Sequence, residues 1–133
     1  MTDKELIDLA IKSMKNSYSP YSGCTVGAAL LTKSGRVFTG CNVENASFSA
    51  TVCAERTAVF KAVSEGEREF SAIAVAGGKG GKVQGFMPCG VCRQVLSEFG
   101  DKDMKILVAK EDGGFNTFTL NELIPKAFEG DFI

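Results

Sequence analysis

The sequence predicts a three-layer α/β/α sandwich around a mixed five-stranded sheet. Three features of the chain lead there. Five short apolar runs have strand character, four segments have helical spacing or helix-start signals, and their order is α-β-β-α-β-α-β-β-α. Strands alternating with helices through the middle of the chain require a partly parallel sheet with helices on its faces.

Thr2 with Glu5 forms a capping box, and Leu6, Ile7, Ala10, Ile11 and Met14 follow at helical spacing until Ser17 to Pro20 interrupt them. Thr25 to Thr32 reads as a buried strand, Lys33 to Arg36 as a tight turn and Val37 to Val43 as a second strand, together an antiparallel hairpin. A polar stretch then leads into an Ala/Val/Phe-rich helix over about Val52 to Ser64, ended by Gly66. Ser71 to Ala76 is a short buried strand. The glycine cluster from Gly77 to Lys82 lacks the register of a phosphate loop and reads as a mobile surface loop. Pro88 introduces a helix running to Phe99 and closed by Gly100. Lys105 to Ala109 and Phe115 to Thr119 are strands about a turn at Glu111 to Gly114, and a second capping box, Thr119 with Glu122, starts a last helix ending near Pro125. With no repeat or linker, residues 1–133 are expected to form a single domain.

Composition narrows the function. There is no histidine, so no Ser-His-Asp or Cys-His pair, no His-x-x-x-His metalloprotease helix and no Cys₂His₂ finger exists here. Any metal must be held by sulfur or oxygen. A net charge of −1 argues against phosphate-backbone binding, so no nucleic-acid partner is expected. No uninterrupted apolar run approaches the length of a membrane span, so no membrane partner is expected either. Five cysteines, an odd number, behind an N-terminus without signal-peptide character point to the cytoplasm, where cysteines serve metals or catalysis more often than disulfides.

Three of those cysteines stand at helix starts: Cys53 in Cys53-Ala54-Glu55-Arg56, and Cys89 and Cys92 in Pro88-Cys89-Gly90-Val91-Cys92. A spacing of three puts Cys89 and Cys92 on one helical face, and helix N-termini favour the thiolate a metal requires. Glu55 lies about 200° around the helix from Cys53, so the two converge only on a site beyond the first turn. Together these features suggest two helix N-termini aimed at one zinc, with Glu55 close by as proton carrier and Arg56, one turn after Cys53, offsetting the thiolate charge. Three thiolates leave the fourth tetrahedral position open to water, as in catalytic zinc sites. Two other readings stay open. Cys89-x-x-Cys92 alone also fits a thiol redox pair, and Cys24 or Cys41 would close a structural Cys₄ site, although both lie in strands and read as buried small hydrophobes.

Cys-x-Glu followed by Pro-Cys-x-x-Cys resembles the signature of the zinc nucleoside and nucleobase deaminases. Pro20-Tyr21-Ser22, Val26 to Ala29, Gly40 to Ser47, Cys53 to Arg56 and Pro88 to Gln94 are similar to the small, all-cysteine cytidine deaminases. The resemblance implies a homotetramer with a mixed five-stranded sheet between helices and active sites completed by neighbouring subunits. It implies one Zn²⁺ per chain on Cys53, Cys89 and Cys92, with Glu55 shuttling protons and Arg56 neutralising thiolates. Asn42 and Glu44 would take the ribose 3′-hydroxyl, the Ala54 N–H the pyrimidine carbonyl, and Phe128 a neighbour's base pocket. The activity implied is deamination of cytidine and deoxycytidine to uracil nucleosides plus ammonia in pyrimidine salvage, with a cytosine-nucleoside antibiotic such as blasticidin S as the alternative substrate. Without the family, Asn42 and Glu44 would be solvated strand-end residues, and Phe128 could equally anchor the last helix in the core. Two positions depart from the family. Cys24 stands where an aromatic is usual, and Phe48 where Tyr is common. Either the base pocket has lost stacking surface at position 24, or another side chain such as Phe86 fills the space, or the pocket is reshaped for a bulkier base substituent.

Overall fold

The computed structural model describes all 133 residues, apart from the side chain of Phe132. Helix α1 spans Asp3–Ser13, strands β1 and β2 Cys24–Thr32 and Val37–Cys41, helix α2 Ala54–Ser64, and strand β3 Phe70–Lys79. Helix α3 covers Gly90–Phe99, strands β4 and β5 Gly100–Ala109 and Phe115–Thr119, and helix α4 Leu120–Leu123. The sheet order is β2-β1-β3-β4-β5; β3 and β4 run parallel and the other neighbours antiparallel. The parallel pair is joined through α3, the connection that forces a helix onto the sheet face.

Alternation along the strands separates two cores. Leu6, Ile7, Ala10 and Met14 of α1 pack on Ala29, Ala72, Ala74, Ala76 and Leu107. On the other face Ala58, Val59 and Ala62 of α2 and Leu96 of α3 pack on Ala28, Leu30, Ile73, Ile106 and Val108. This is the predicted three-layer arrangement with its mixed five-stranded sheet. Both capping boxes form with reciprocal bonds, at Thr2 with Glu5 and at Thr119 with Glu122. Ile11 departs from expectation: it is 38% exposed, because the stripe facing the sheet is already filled by its neighbours one turn away. Among the described residues no helix is long and apolar enough to cross a membrane.

The glycine cluster is a correction. Gly77, Gly78 and Lys79 continue β3, with the two glycines buried and Lys79 exposed, and the exposed Gly80 and Gly81 form the turn that follows. A Cβ on Gly78 would lie 2.0 Å from the Lys82 carbonyl oxygen, so the missing side chain admits the returning backbone. Strand β4 also starts earlier than predicted, since Gly100 pairs with Phe70 before a register shift over the charged residues ahead of Lys105.

Helix α2 is seated by an equally close approach. A Cβ on Gly40 would come within 2.6 Å of both the Ala54 carbonyl oxygen and the Ala58 nitrogen. Gly40→Ala is therefore expected to destabilise the fold by about 1–3 kcal/mol, the usual cost of overpacking. It should also weaken metal retention, because α2 carries Cys53 at its start. Denaturant midpoints and metal content measured on the same preparation would check both effects.

Candidate metal centre and substrate cleft

Cys53 is the N-cap of α2 and Cys89 the N-cap of α3, with Cys92 one turn into α3. Neither N-cap side chain bonds back to its helix, so both thiols are left free of capping bonds. The three Sγ atoms lie within 4.8 Å of one another, and Cys53 Sγ is 3.8 Å from Cys89 Sγ. Thiolates about 2.3 Å from one zinc at the tetrahedral angle stand roughly 3.8 Å apart, so the donor set fits a single ion. Cys24 and Cys41 are not in the cluster, which removes the closed Cys₄ reading; both are half-buried strand-end residues rather than core hydrophobes.

Charge is distributed unequally over the cluster. The Cys53 thiol is held well below the usual range, first by a hydrogen bond with Cys92 and then by Arg56, whose Nη2 donates to Cys53 Sγ over 3.4 Å. The same bond with Cys53 pushes Cys92 up, an effect that coordination would reverse, since a coordinated thiol is deprotonated outright. Glu55 is only 3% exposed, and burial pushes its carboxyl up to about 7, with the Cys53 charge adding to the rise. Its own backbone N–H, a hydrogen bond with Cys92 and the Arg56 charge oppose that rise. Arg93 fixes the loop in front of Cys89: its Nε donates to the Pro88 carbonyl at 2.8 Å and its Nη1 to Leu123 at 2.8 Å. Sequence reasoning had given Arg93 no role.

Beside the thiols lies a cleft of about 210 Å³ whose lining includes Asn42, Glu44, Thr51, Cys53, Glu55 and Phe86. A larger depression of about 500 Å³, between Leu120, Ile124 and Lys126, has no cysteine in its lining; size does not locate the chemistry here. Asn42 and Glu44 are each 8% exposed, which corrects the solvated strand-end reading. They lie past the end of β2, which stops at Cys41. Asn42 Oδ1 accepts from the Val26 N–H at 2.9 Å and its Nδ2 donates to the Cys24 carbonyl at 2.9 Å, so the start of β1 orients the amide. Cys24 itself does not line the cleft, whereas Phe86 does. Phe48 is 78% exposed and likewise stands outside it.

The topology gathers Cys53, Cys89, Cys92, Glu55, Arg56, Asn42 and Glu44 at one end of the sheet, and Ala54 sits between two lining residues. Phe128 is not brought in. It is 58% exposed, which excludes the core-anchor reading, and its carbonyl accepts from Gln94 Nε2 at 3.0 Å.

A family model described as the cytidine and deoxycytidylate deaminase zinc-binding region matches residues 1–108 of the chain. The chain belongs to the cytidine and deoxycytidylate deaminase family. Among cytidine deaminases, that of Halalkalibacterium halodurans is 46% identical over 98% of this chain and 97% of its own length. That of Sporosarcina psychrophila is 44% identical over 96% and 92%. The crystal structure of a cytidine deaminase from Burkholderia pseudomallei superposes with a TM-score of 0.88 at 44% identity, covering 96% of this chain and 100% of that one. The fold class and family expected from the motifs therefore hold over nearly the whole chain, and the zinc-binding region of this deaminase family coincides with a three-thiol cluster suited to one zinc.

Proposed function

We propose that this protein deaminates cytidine, and deoxycytidine, hydrolytically to the uracil nucleoside and ammonia, with residues 1–133 acting as one zinc-dependent domain. The observation that carries this reading is the buried Glu55 beside three converging thiols, opening on a cleft that also holds Asn42 and Glu44. Bound by Cys53, Cys89 and Cys92, zinc would supply a Lewis-acid centre with one position open to water.

The chain's own residues do the rest. Glu55, with a carboxyl near 7, takes a proton from the attacking water and delivers it to ring N3 to make C4 electrophilic, then takes the remaining proton from the new C4 hydroxyl and passes it to the departing amine. Arg56 offsets thiolate charge through its bond to Cys53. The Ala54 N–H, without an intrahelical acceptor at the first position of α2, donates to the pyrimidine carbonyl. Asn42 and Glu44 take the ribose 3′-hydroxyl. Phe128, exposed in the single chain, completes a neighbouring subunit's base pocket in a homotetramer working in the cytoplasm. Asn42 and Glu44, buried together in the cleft and facing the ribose in this reading, favour cytidine over blasticidin S.

The purified protein is expected to hold about one zinc per chain, with an X-ray absorption spectrum of three sulfurs and one oxygen or nitrogen, and to consume cytidine absorbance. Four sulfurs without turnover would favour a structural zinc protein, and a metal-free Cys89–Cys92 disulfide an oxidoreductase. Arg56→Gln should weaken zinc retention or catalysis by about 10–100-fold, the range of groups that hydrogen-bond metal ligands. Unchanged zinc release and turnover would show that the two helix N-termini balance the thiolates unaided.

A further inference from the structure

Glu44 is held by a loop that the assigned roles leave unexplained. Its Oε1 accepts from the Tyr21 N–H at 3.0 Å and from the Ser22 N–H at 3.1 Å. Its Oε2 accepts from the Ser22 hydroxyl at 2.5 Å. That hydroxyl is itself oriented, because its oxygen accepts from the Cys24 N–H at 3.0 Å, which leaves its hydrogen aimed at the carboxylate. The loop is tied down on both sides: Gly23, at φ +73°, donates to the Ser19 carbonyl, and the Glu44 N–H donates to the Tyr18 carbonyl at 2.8 Å.

An ionised carboxylate offers about four lone-pair positions, of which three are filled here. The one left belongs to Oε2 and serves a donor in the cleft. Two N–H groups on Oε1 fix that oxygen but not the rotation of the carboxyl plane, which is a soft torsion. The Ser22 hydroxyl sets it. We infer that Ser22 is the positioning residue for 3′-hydroxyl recognition, orienting the free lone pair of Glu44 Oε2 while touching no substrate itself. This rests on the deaminase reading, in which Glu44 faces the ribose. The same contact, more than the two backbone bonds, holds the Glu44 carboxyl below the usual carboxylate range and so keeps it a pure acceptor.

The test compares cytidine with 3′-deoxycytidine on the zinc-loaded enzyme. Wild type is expected to prefer cytidine. Ser22→Ala should raise the cytidine KM about tenfold, the scale of one hydrogen bond to a charged group, with kcat little changed because the contact exists in ground and transition states alike. The 3′-deoxycytidine parameters should hardly move, since that substrate has nothing to offer Oε2. Glu44→Gln should lose the same discrimination, and Ser22→Ala added to it should lose no more, the non-additivity of two groups serving one contact. Ser22→Thr should restore it. If the alanine variant yields no folded protein, Ser22→Cys, of similar shape but a weak donor, takes its place. Equal losses on both nucleosides, or retained discrimination, would overturn the role of Ser22 while leaving the deaminase reading intact. Failure of wild type to deaminate either nucleoside would overturn both.

Discussion

Glu55→Gln is expected to keep zinc and fold while losing between about 10² and 10⁴ of the deamination rate, the usual contribution of a positioned acid–base group. The substitution is nearly isosteric at a site that is 3% exposed, so packing against the first turn of α2 is preserved. What is lost is the ability to accept and return a proton from a carboxyl that burial has moved up to about 7. Metal content, a thermal midpoint and turnover on cytidine separate these effects. Near-normal turnover would reject Glu55 as the proton carrier, and loss of zinc would show instead that its carboxyl supports the cluster.

Cys92→Ala should have the second large effect, by a different route. Cys92 is fully buried and is the interior member of the thiol cluster, in contact with Cys53 and with the Glu55 carboxyl. Two thiolates remain for an ion that takes four ligands, so zinc affinity should fall by more than the roughly 100-fold upper range of second-layer substitutions. Turnover should fall with metal content, as measured after dialysis against a chelator. Full zinc retention in that variant would mean that the ion is held by another donor set.

The parts legible in the chain were those encoded by neighbouring residues. The capping boxes at Thr2 and Thr119 are satisfied within three residues, and β5 has its predicted bounds because a turn and a helix start delimit it. The three zinc-type cysteines were equally legible, since a cysteine at a helix start carries its geometry with it. Gly77 to Lys79 misled for the converse reason. Their extended conformation, with the two glycines buried, depends on pairing with Cys24, Thr25 and Val26, more than fifty residues earlier, and on the Lys82 backbone passing close by. Ile11 has the spacing of a core residue, yet the width of the sheet surface beneath α1 decides which of its apolar side chains are covered.

The sequence by itself determined the chemistry available: no imidazole, three thiols at helix starts, one acid and one guanidinium beside them. Helix geometry links Cys89 with Cys92 and Cys53 with Arg56 over three positions, whereas the approach of Cys53 to Cys89 is a contact between two helices that only the fold supplies. Only the tertiary structure decided that Asn42 and Glu44 are buried beside that cluster, that Phe86 rather than residue 24 lines the cleft, and that Ser22 governs the free face of Glu44. These depend on contacts between chain segments well separated in sequence, such as Asn42 with Val26 and Ser22 with Glu44. Nothing local encodes such a contact; it exists because β1 lies between β2 and β3, which brings the loop before β1 to the end of the sheet where α2 and α3 begin.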